Sequence, residues 1–260
     1  MNYEQATKAF ELGEGKNFVI LSHGYTGNPY ELRELGQHLA DNGFHVFVPL
    51  LDGHAKDAKQ FVDTRWPDWY LRIEETITRI KENYNPSHIF MSGLSMGGAF
   101  TLYTAFNYAS DLTAIAPIAT PVFLTQKLLW LLPIVRFFHI KYFPYPMEVL
   151  TMNKDLWTDP IFLENNQRYN KFAVPTVVSL LSFLKELKNQ YLPRVNLPIL
   201  IAHGKKDSFV HPSNASYIYG HVSSSQKKIL WLENSNHVAT VDFDKELLFN
   251  EITKFFQAHL

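Results

Sequence analysis

Cysteine is absent from this chain of 260 residues. Its absence excludes a disulfide framework, thiol catalysis and a cysteine-ligated metal site, and it agrees with a reducing compartment. A charge excess is missing too: 24 lysines and arginines stand against 25 aspartates and glutamates, for a net charge of −1. That balance lacks the basic footprint that a phosphate backbone or an anionic lipid surface requires, so no nucleic-acid partner is expected. Long apolar runs are lacking as well. The most apolar window, from Leu128 to Val135, lies between Lys127 and Arg136, far short of the roughly 20 residues that span a bilayer. No integral membrane association is expected. The opening MNYEQATKAFELGEG has no basic segment leading into an apolar one, which sets a cytoplasmic chain as the expectation. What is present is 46% hydrophobic and 15% aromatic residues, enough for one large domain with a sizeable core.

Short apolar runs rich in β-branched and aromatic residues recur at 18–21, 46–50, 89–91, 112–118, 199–202 and 229–232. Each reads as a strand buried on both faces. Helical patterns separate most of them, at 29–42, 66–83, 96–108, 213–219 and 244–259. The first has the clearest start: Asn28 can cap it, Pro29 suits its first turn, and Glu31 completes a capping-box spacing. Strand and helix alternating in this way predict an α/β fold, a mostly parallel sheet covered by helices on both faces. The first residues add an antiparallel edge strand, with Gly13, Glu14 and Gly15 as its turn. The alternation fails between about 121 and 192, where helical fragments are broken by prolines and no central strand is evident. That stretch reads as an insertion, 121–192, into a core made of 1–120 and 193–260. It holds 13 of the 38 aromatic residues, which need something to pack against and so argue against a flexible linker.

The strand at 89–91 runs into Gly93, Leu94, Ser95, Met96 and Gly97, and then into a helix. This is the G-x-S-x-G spacing in its strand–turn–helix context. The glycines allow a turn so sharp that a neighbouring side chain would clash, leaving the Ser95 hydroxyl exposed at the carboxyl edge of the sheet. A serine hydroxyl is a weak nucleophile near neutral pH, so it needs a base, and the base needs an orienting acid. The strand at 199–202 leads to Asp207 and the strand at 229–232 leads to His237. Ser95, Asp207 and His237 therefore fall on loops at one edge of one sheet, in that chain order. An oxyanion formed on such a site needs preorganised N–H donors. Met96 follows the serine directly. The loop His23, Gly24, Tyr25, Thr26, Gly27 after the first parallel strand can turn the Tyr25 amide toward Ser95. His23, His54 and His203 read as structural ties.

Together with the Asp52-Gly53-His54 loop and the Pro67-Asp68-Trp69 segment, these motifs resemble the α/β-hydrolase superfamily, and within it the small bacterial carboxylesterases and monoacylglycerol lipases. The resemblance covers nearly the whole chain and is weakest in 121–192, which matches by position as a helical cap. It implies a serine hydrolase of carboxylic esters of short to medium acyl chains, with monoacylglycerols as candidate substrates. It also implies Ser95 as nucleophile, His237 as base, Asp207 as orienting acid, and the Tyr25 and Met96 amides as the oxyanion hole. Tyr25 departs from the phenylalanine usual in that group. A small-molecule ester is the expected partner and no cofactor or metal is expected. The same framework also serves thioesterases and proline-type aminopeptidases, for which Glu148 and Glu164 offer acidic anchors, and a non-catalytic binding module is the alternative from another class.

Overall fold

The structure, a computed structural model, describes residues 2–124, 141–144, 160–169 and 171–260. Its main sheet has seven strands: β1 (Phe10–Leu12), β2 (Asn17–Ser22), β3 (His45–Val48), β4 (His88–Leu94), β5 (Ala114–Ile118), β8 (Ile199–Gly204) and β9 (Lys227–Leu232). They lie in the order β1-β3-β2-β4-β5-β8-β9. All neighbours are parallel except the edge strand β1, which runs antiparallel to β3, with Phe10 opposite Val48. The turn at 13–15 thus carries the chain past β3 to β2 and does not close a hairpin. A second, two-stranded antiparallel sheet pairs β6 (Tyr142–Pro144) with β7 (Lys171–Ala173) inside the insertion.

The helices are α1 (Tyr3–Ala6), α2 (Arg33–Asp41), α3 (Ala58–Phe61), α4 (Trp66–Tyr84), α5 (Met96–Asn107), α6 (Pro160–Arg168), α7 (Val174–Glu186), α8 (Ser213–His221) and α9 (Lys245–Gln257). Alternate residues of the buried strands serve opposite faces of the sheet, as the period of two requires. Phe18, Ile20, Met91 and Ile201 meet Trp69, Ile73 and Ile77 of α4, Phe100 of α5 and Ile218 of α8. Val19, Leu21, Phe90 and Leu200 meet Leu35 and Leu39 of α2 and Leu248, Ile252 and Phe256 of α9. Phe90 stacks on Phe256 with ring centroids 4.7 Å apart. The result is the α/β-hydrolase architecture, with an inserted helical region between β5 and β8.

The expected helix at 29–42 divides in two. Pro29–Leu32 is a 3₁₀ turn, and the α-helix begins only at Arg33. Asn28 does cap, accepting from the Tyr30 amide at 3.0 Å. Glu31 does not complete a capping box, because its carboxyl points elsewhere.

In the insertion, α7 joins the main core: Phe183 stacks on Trp66 at 5.0 Å and meets Phe100 at the same distance. Among the described residues, Pro160 opens α6 and Pro175 lies in the first turn of α7, where a missing N–H is tolerated. The apolar window from Leu128 to Val135, along with Phe137, Phe138, Glu148 and Trp157, lies outside the described residues.

Candidate active site

Because β2, β4, β8 and β9 are parallel, the loops leaving them open on one edge of the sheet. Ser95 sits between β4 and α5 with φ 56° and ψ −115°, a left-handed backbone rarely adopted by a residue with a side chain. Its neighbours explain how that is held. A β-carbon on Gly97 would overlap the Ser22 carbonyl, and one on Gly93 would come within 2.5 Å of Gly97, so only glycines let β2, β4 and α5 approach this closely. The Ser95 amide donates to the Ile118 carbonyl at 2.8 Å, which fixes the turn against β5.

The structure brings the three expected side chains together. His237 Nε2 lies 3.0 Å from Ser95 Oγ, and His237 Nδ1 lies 2.8 Å from Asp207 Oδ2. A proton on Nδ1 faces the carboxylate, which leaves Nε2 as the acceptor for the serine hydroxyl. Ser95 is 7% exposed and Asp207 3%. Asp207 Oδ1 accepts two backbone N–H groups, from Phe209 at 2.9 Å and Val210 at 2.8 Å. Burial alone would raise the Asp207 pKa, but His237 and His203 beside it hold its carboxyl well below the usual carboxylate range.

The loop carrying His237 is braced by groups that local sequence patterns do not reveal. Asp242 Oδ2 accepts from the Asn236 amide at 2.7 Å, and Asp244 Oδ2 accepts from the Asn234 and Ser235 amides at 2.7 and 2.9 Å. Asn236 Oδ1 takes the amides of Ser208 and His237, so it ties the aspartate and histidine loops to each other.

On the other side lies the loop after β2. A β-carbon on Gly24 would stand 3.5 Å from Ser95 Cβ, so this loop passes directly beside the serine, with Tyr25 next in the chain and Met96 opening α5 opposite. His23 is buried; it donates from Nδ1 to the Gly24 carbonyl at 3.1 Å and accepts the Leu51 amide on Nε2 at 3.1 Å. His54 donates to the Asp52 carbonyl, and burial pushes its pKa down to about 4. His203 Nε2 donates to the Val210 carbonyl at 2.9 Å. His23 thus ties its loop to the one after β3, whereas the bonds of His54 and His203 stay within their own segments. Asp52 pairs with Arg72 at 2.9 Å, Asp68 accepts the Arg65 amide at the start of α4, and Trp69 is fully buried against Phe61.

Glu31 is the group that sequence reasoning misplaced. Its Oε1 accepts the Gly24 amide at 2.6 Å, beneath the loop that borders Ser95, and the residue is 8% exposed. Burial outweighs that hydrogen bond and the nearby His237, and pushes the carboxyl up to about 7. The sign of the linkage follows. The unfolded chain ionises near 4.5 while the folded one keeps the proton to about 7, so stability falls as pH rises between those values and is constant above them. The full gap corresponds to about 3 kcal/mol. Glu31→Gln keeps an acceptor for Gly24 and cannot ionise. Urea unfolding across pH is expected to find the variant level with the parent near pH 4 and more stable by about 3 kcal/mol above pH 7. A constant offset at every pH would contradict the raised pKa.

Comparison with known proteins places the chain in a family. The family profile Hydrolase_4, described as serine aminopeptidase, S33, matches residues 13–244. A thermostable monoacylglycerol lipase of Bacillus sp. (strain H-257) is 31% identical over 93% of this chain and 90% of its own length. A carboxylesterase of Bacillus subtilis (strain 168) is 24% identical over 96% of each chain. Among solved structures, one from the metagenome-derived lipolytic enzymes LipS and LipT superposes with a TM-score of 0.82, at 28% identity over 98% of each chain. Residues 13–244, the seven-stranded sheet and the likeness to bacterial esterases and lipases lead to one assignment: the chain belongs to the Hydrolase_4 (serine aminopeptidase, S33) family of the α/β-hydrolase superfamily.

Proposed function

We propose that this chain cleaves esters of short to medium acyl chains, monoacylglycerols among them, through an acyl-enzyme on Ser95. Serine-type activity on carboxylic esters follows from the family and from the likeness to esterases and lipases; the acyl range and the residue roles are the proposal. One observation carries the roles: the hydrogen-bonded series Asp207, His237, Ser95, at 2.8 and 3.0 Å, on a serine held in a left-handed turn.

In the first step Ser95 Oγ attacks the ester carbonyl carbon while His237 Nε2 takes the hydroxyl proton. Asp207 stabilises the imidazolium that forms, and the Tyr25 and Met96 amides receive the oxyanion. Collapse of the tetrahedral species breaks the bond to the alkoxy oxygen, and His237 returns the proton to the departing alcohol. Water then attacks the acyl-enzyme with His237 again as base, releasing the acid and restoring Ser95. Half-buried Phe209, whose ring lies 4.9 Å from that of His237, adds apolar surface beside the reacting atoms. The aromatic-rich insertion 121–192 is the segment we assign as the cap over an acyl pocket. We also place the activity in the cytoplasm. Among the described residues no helix is long and apolar enough to cross a membrane.

Each methylene buried contributes ~0.8 kcal/mol, so four more acyl carbons are expected to raise kcat/KM by about a hundredfold until the pocket is full. A p-nitrophenyl ester series from acetyl to palmitoyl, with monoacylglycerols and an amino-acid anilide alongside, measures this. Anilide cleavage without ester turnover would overturn the proposal in favour of an aminopeptidase.

A further inference from the structure

Two consecutive residues of the loop beside Ser95 are held by side chains of the insertion. The Tyr25 hydroxyl lies 2.6 Å from Thr176 Oγ1, in the first turn of α7. Thr176 Oγ1 spends its only proton on the Ala173 carbonyl at 2.7 Å, so the phenol is the donor and the threonine the acceptor. One residue further, the Thr26 carbonyl accepts from Asn165 Nδ2 of α6 at 2.9 Å. Asn165 Oδ1 in turn accepts from the Tyr3 hydroxyl at 2.7 Å and from Asn28 Nδ2 at 3.1 Å. Thr26 has φ 59°, a backbone that needs support from its surroundings. Thr176 and Asn165 are both buried, where a hydrogen bond is costly to leave unmade. The Tyr25 ring itself packs on Phe61 and Trp69 at 5.3 and 5.9 Å, so the hydroxyl adds a directional tie to a side chain that already has its apolar contacts.

These bonds join the insertion to the residue whose amide is read above as an oxyanion donor. We infer that Thr176 and Asn165 are positioning residues: seating of the insertion on the core sets the Tyr25 peptide, so that the oxyanion hole is complete only when the cap is docked. The inference rests on the proposed roles of Ser95 and Tyr25. It explains why this chain carries a tyrosine where a phenylalanine would fill the same space, since only the phenol can reach Thr176. It also means that contacts between the cap and an acyl chain act on turnover as well as on binding.

The test is Thr176→Val, which keeps the shape and removes the acceptor, measured beside Tyr25→Phe, the double variant and Thr176→Ser. Thermal melts establish that each is folded. With a p-nitrophenyl acetate substrate too short to depend on cap contacts, Thr176→Val is expected to lower kcat by about tenfold with KM within twofold, less than the 10²–10³ lost when a donor is removed outright. Inhibition by a boronic acid that mimics the tetrahedral adduct is expected to weaken by the same factor. The double variant should be no worse than Thr176→Val, because Tyr25→Phe removes no bond that Thr176→Val has left in place, and Thr176→Ser should restore kcat. Unchanged kcat and boronate affinity in Thr176→Val, or a rise in KM alone, would overturn the inference. Fluorophosphonate labelling of the parent separates the two claims. An unlabelled Ser95 refutes the proposed mechanism, whereas a labelled Ser95 with an unaffected Thr176→Val refutes only the coupling.

Discussion

Replacing Ser95 by alanine is expected to lower kcat by about a millionfold. Oγ is the atom on which the proposed acyl-enzyme is built, and it is also the hydrogen-bond partner of His237 at 3.0 Å, so no graded loss is available. The fold should survive. Alanine and serine carry the same steric cost at φ 56°, and the glycine contacts that hold the turn at Gly93 and Gly97 are untouched. Residual turnover over water, of the order of 10³–10⁴, is expected from binding and the oxyanion donors alone. Steady-state kinetics and fluorophosphonate labelling both report on this. Persistent labelling in the variant would move the nucleophile elsewhere, although the nearest other serines offer little: Ser22 and Ser92 are fully buried, and the Ser92 hydroxyl is committed to the Ala116 carbonyl at 2.6 Å.

Asp207→Asn is expected to cost about 10⁴ in kcat with little change in KM. The loss arises from the way Asp207 is bonded. Oδ1 already receives the Phe209 and Val210 amides, so an asparagine must leave its oxygen there and turn its NH₂ toward His237. Two N–H groups cannot face each other, and the imidazole has to move its proton from Nδ1 to Nε2. The Nε2 nitrogen can then no longer accept from Ser95. Stability changes as well, with a sign fixed by the depressed pKa. The carboxylate contributes stability that is present above about 3.8 and is lost as pH falls below it. The stability gap between parent and variant should therefore hold from pH 7 to about pH 4 and begin to narrow below that, as read by thermal melts between pH 7 and pH 3. A variant retaining more than a tenth of parental kcat would mean that His237 is oriented by another group, and His203 and Asn236 are too committed to their own partners to serve.

Much of this site was legible because its signals are local. Ser95 stands between an apolar strand and a helix, and Asp207 and His237 each follow a strand whose composition announces it. Parallel order then puts their loops on one edge, whatever the details of packing. Glu31 was misread for the opposite reason. Three residues after a capping asparagine it fits a local rule, yet its carboxyl satisfies an amide seven residues back, and the helix it should have started opens as a 3₁₀ turn. Asn165 and Thr176 were invisible for the same cause: their partners lie 139 and 151 residues away, and no periodicity encodes such a pairing. The edge strand near the N-terminus was legible as an element, whereas its partner, β3, depended on a crossing that the turn residues do not specify.

The strand order also has a consequence in time. Ser95 and His237 are 142 residues apart in the chain, and β8 and β9, which carry the loops of Asp207 and His237, are the last strands of the sheet to be made. At a synthesis rate of about 5–20 residues per second, roughly 7–28 s separate the emergence of Ser95 from that of His237. Until β8 is made, β5 is an edge of the sheet, and until His237 emerges Ser95 lacks the imidazole that faces it in the finished fold. On the proposed roles, a nascent chain is expected to stay inert toward esters until His237, which lies beyond the last strand, has folded against Ser95.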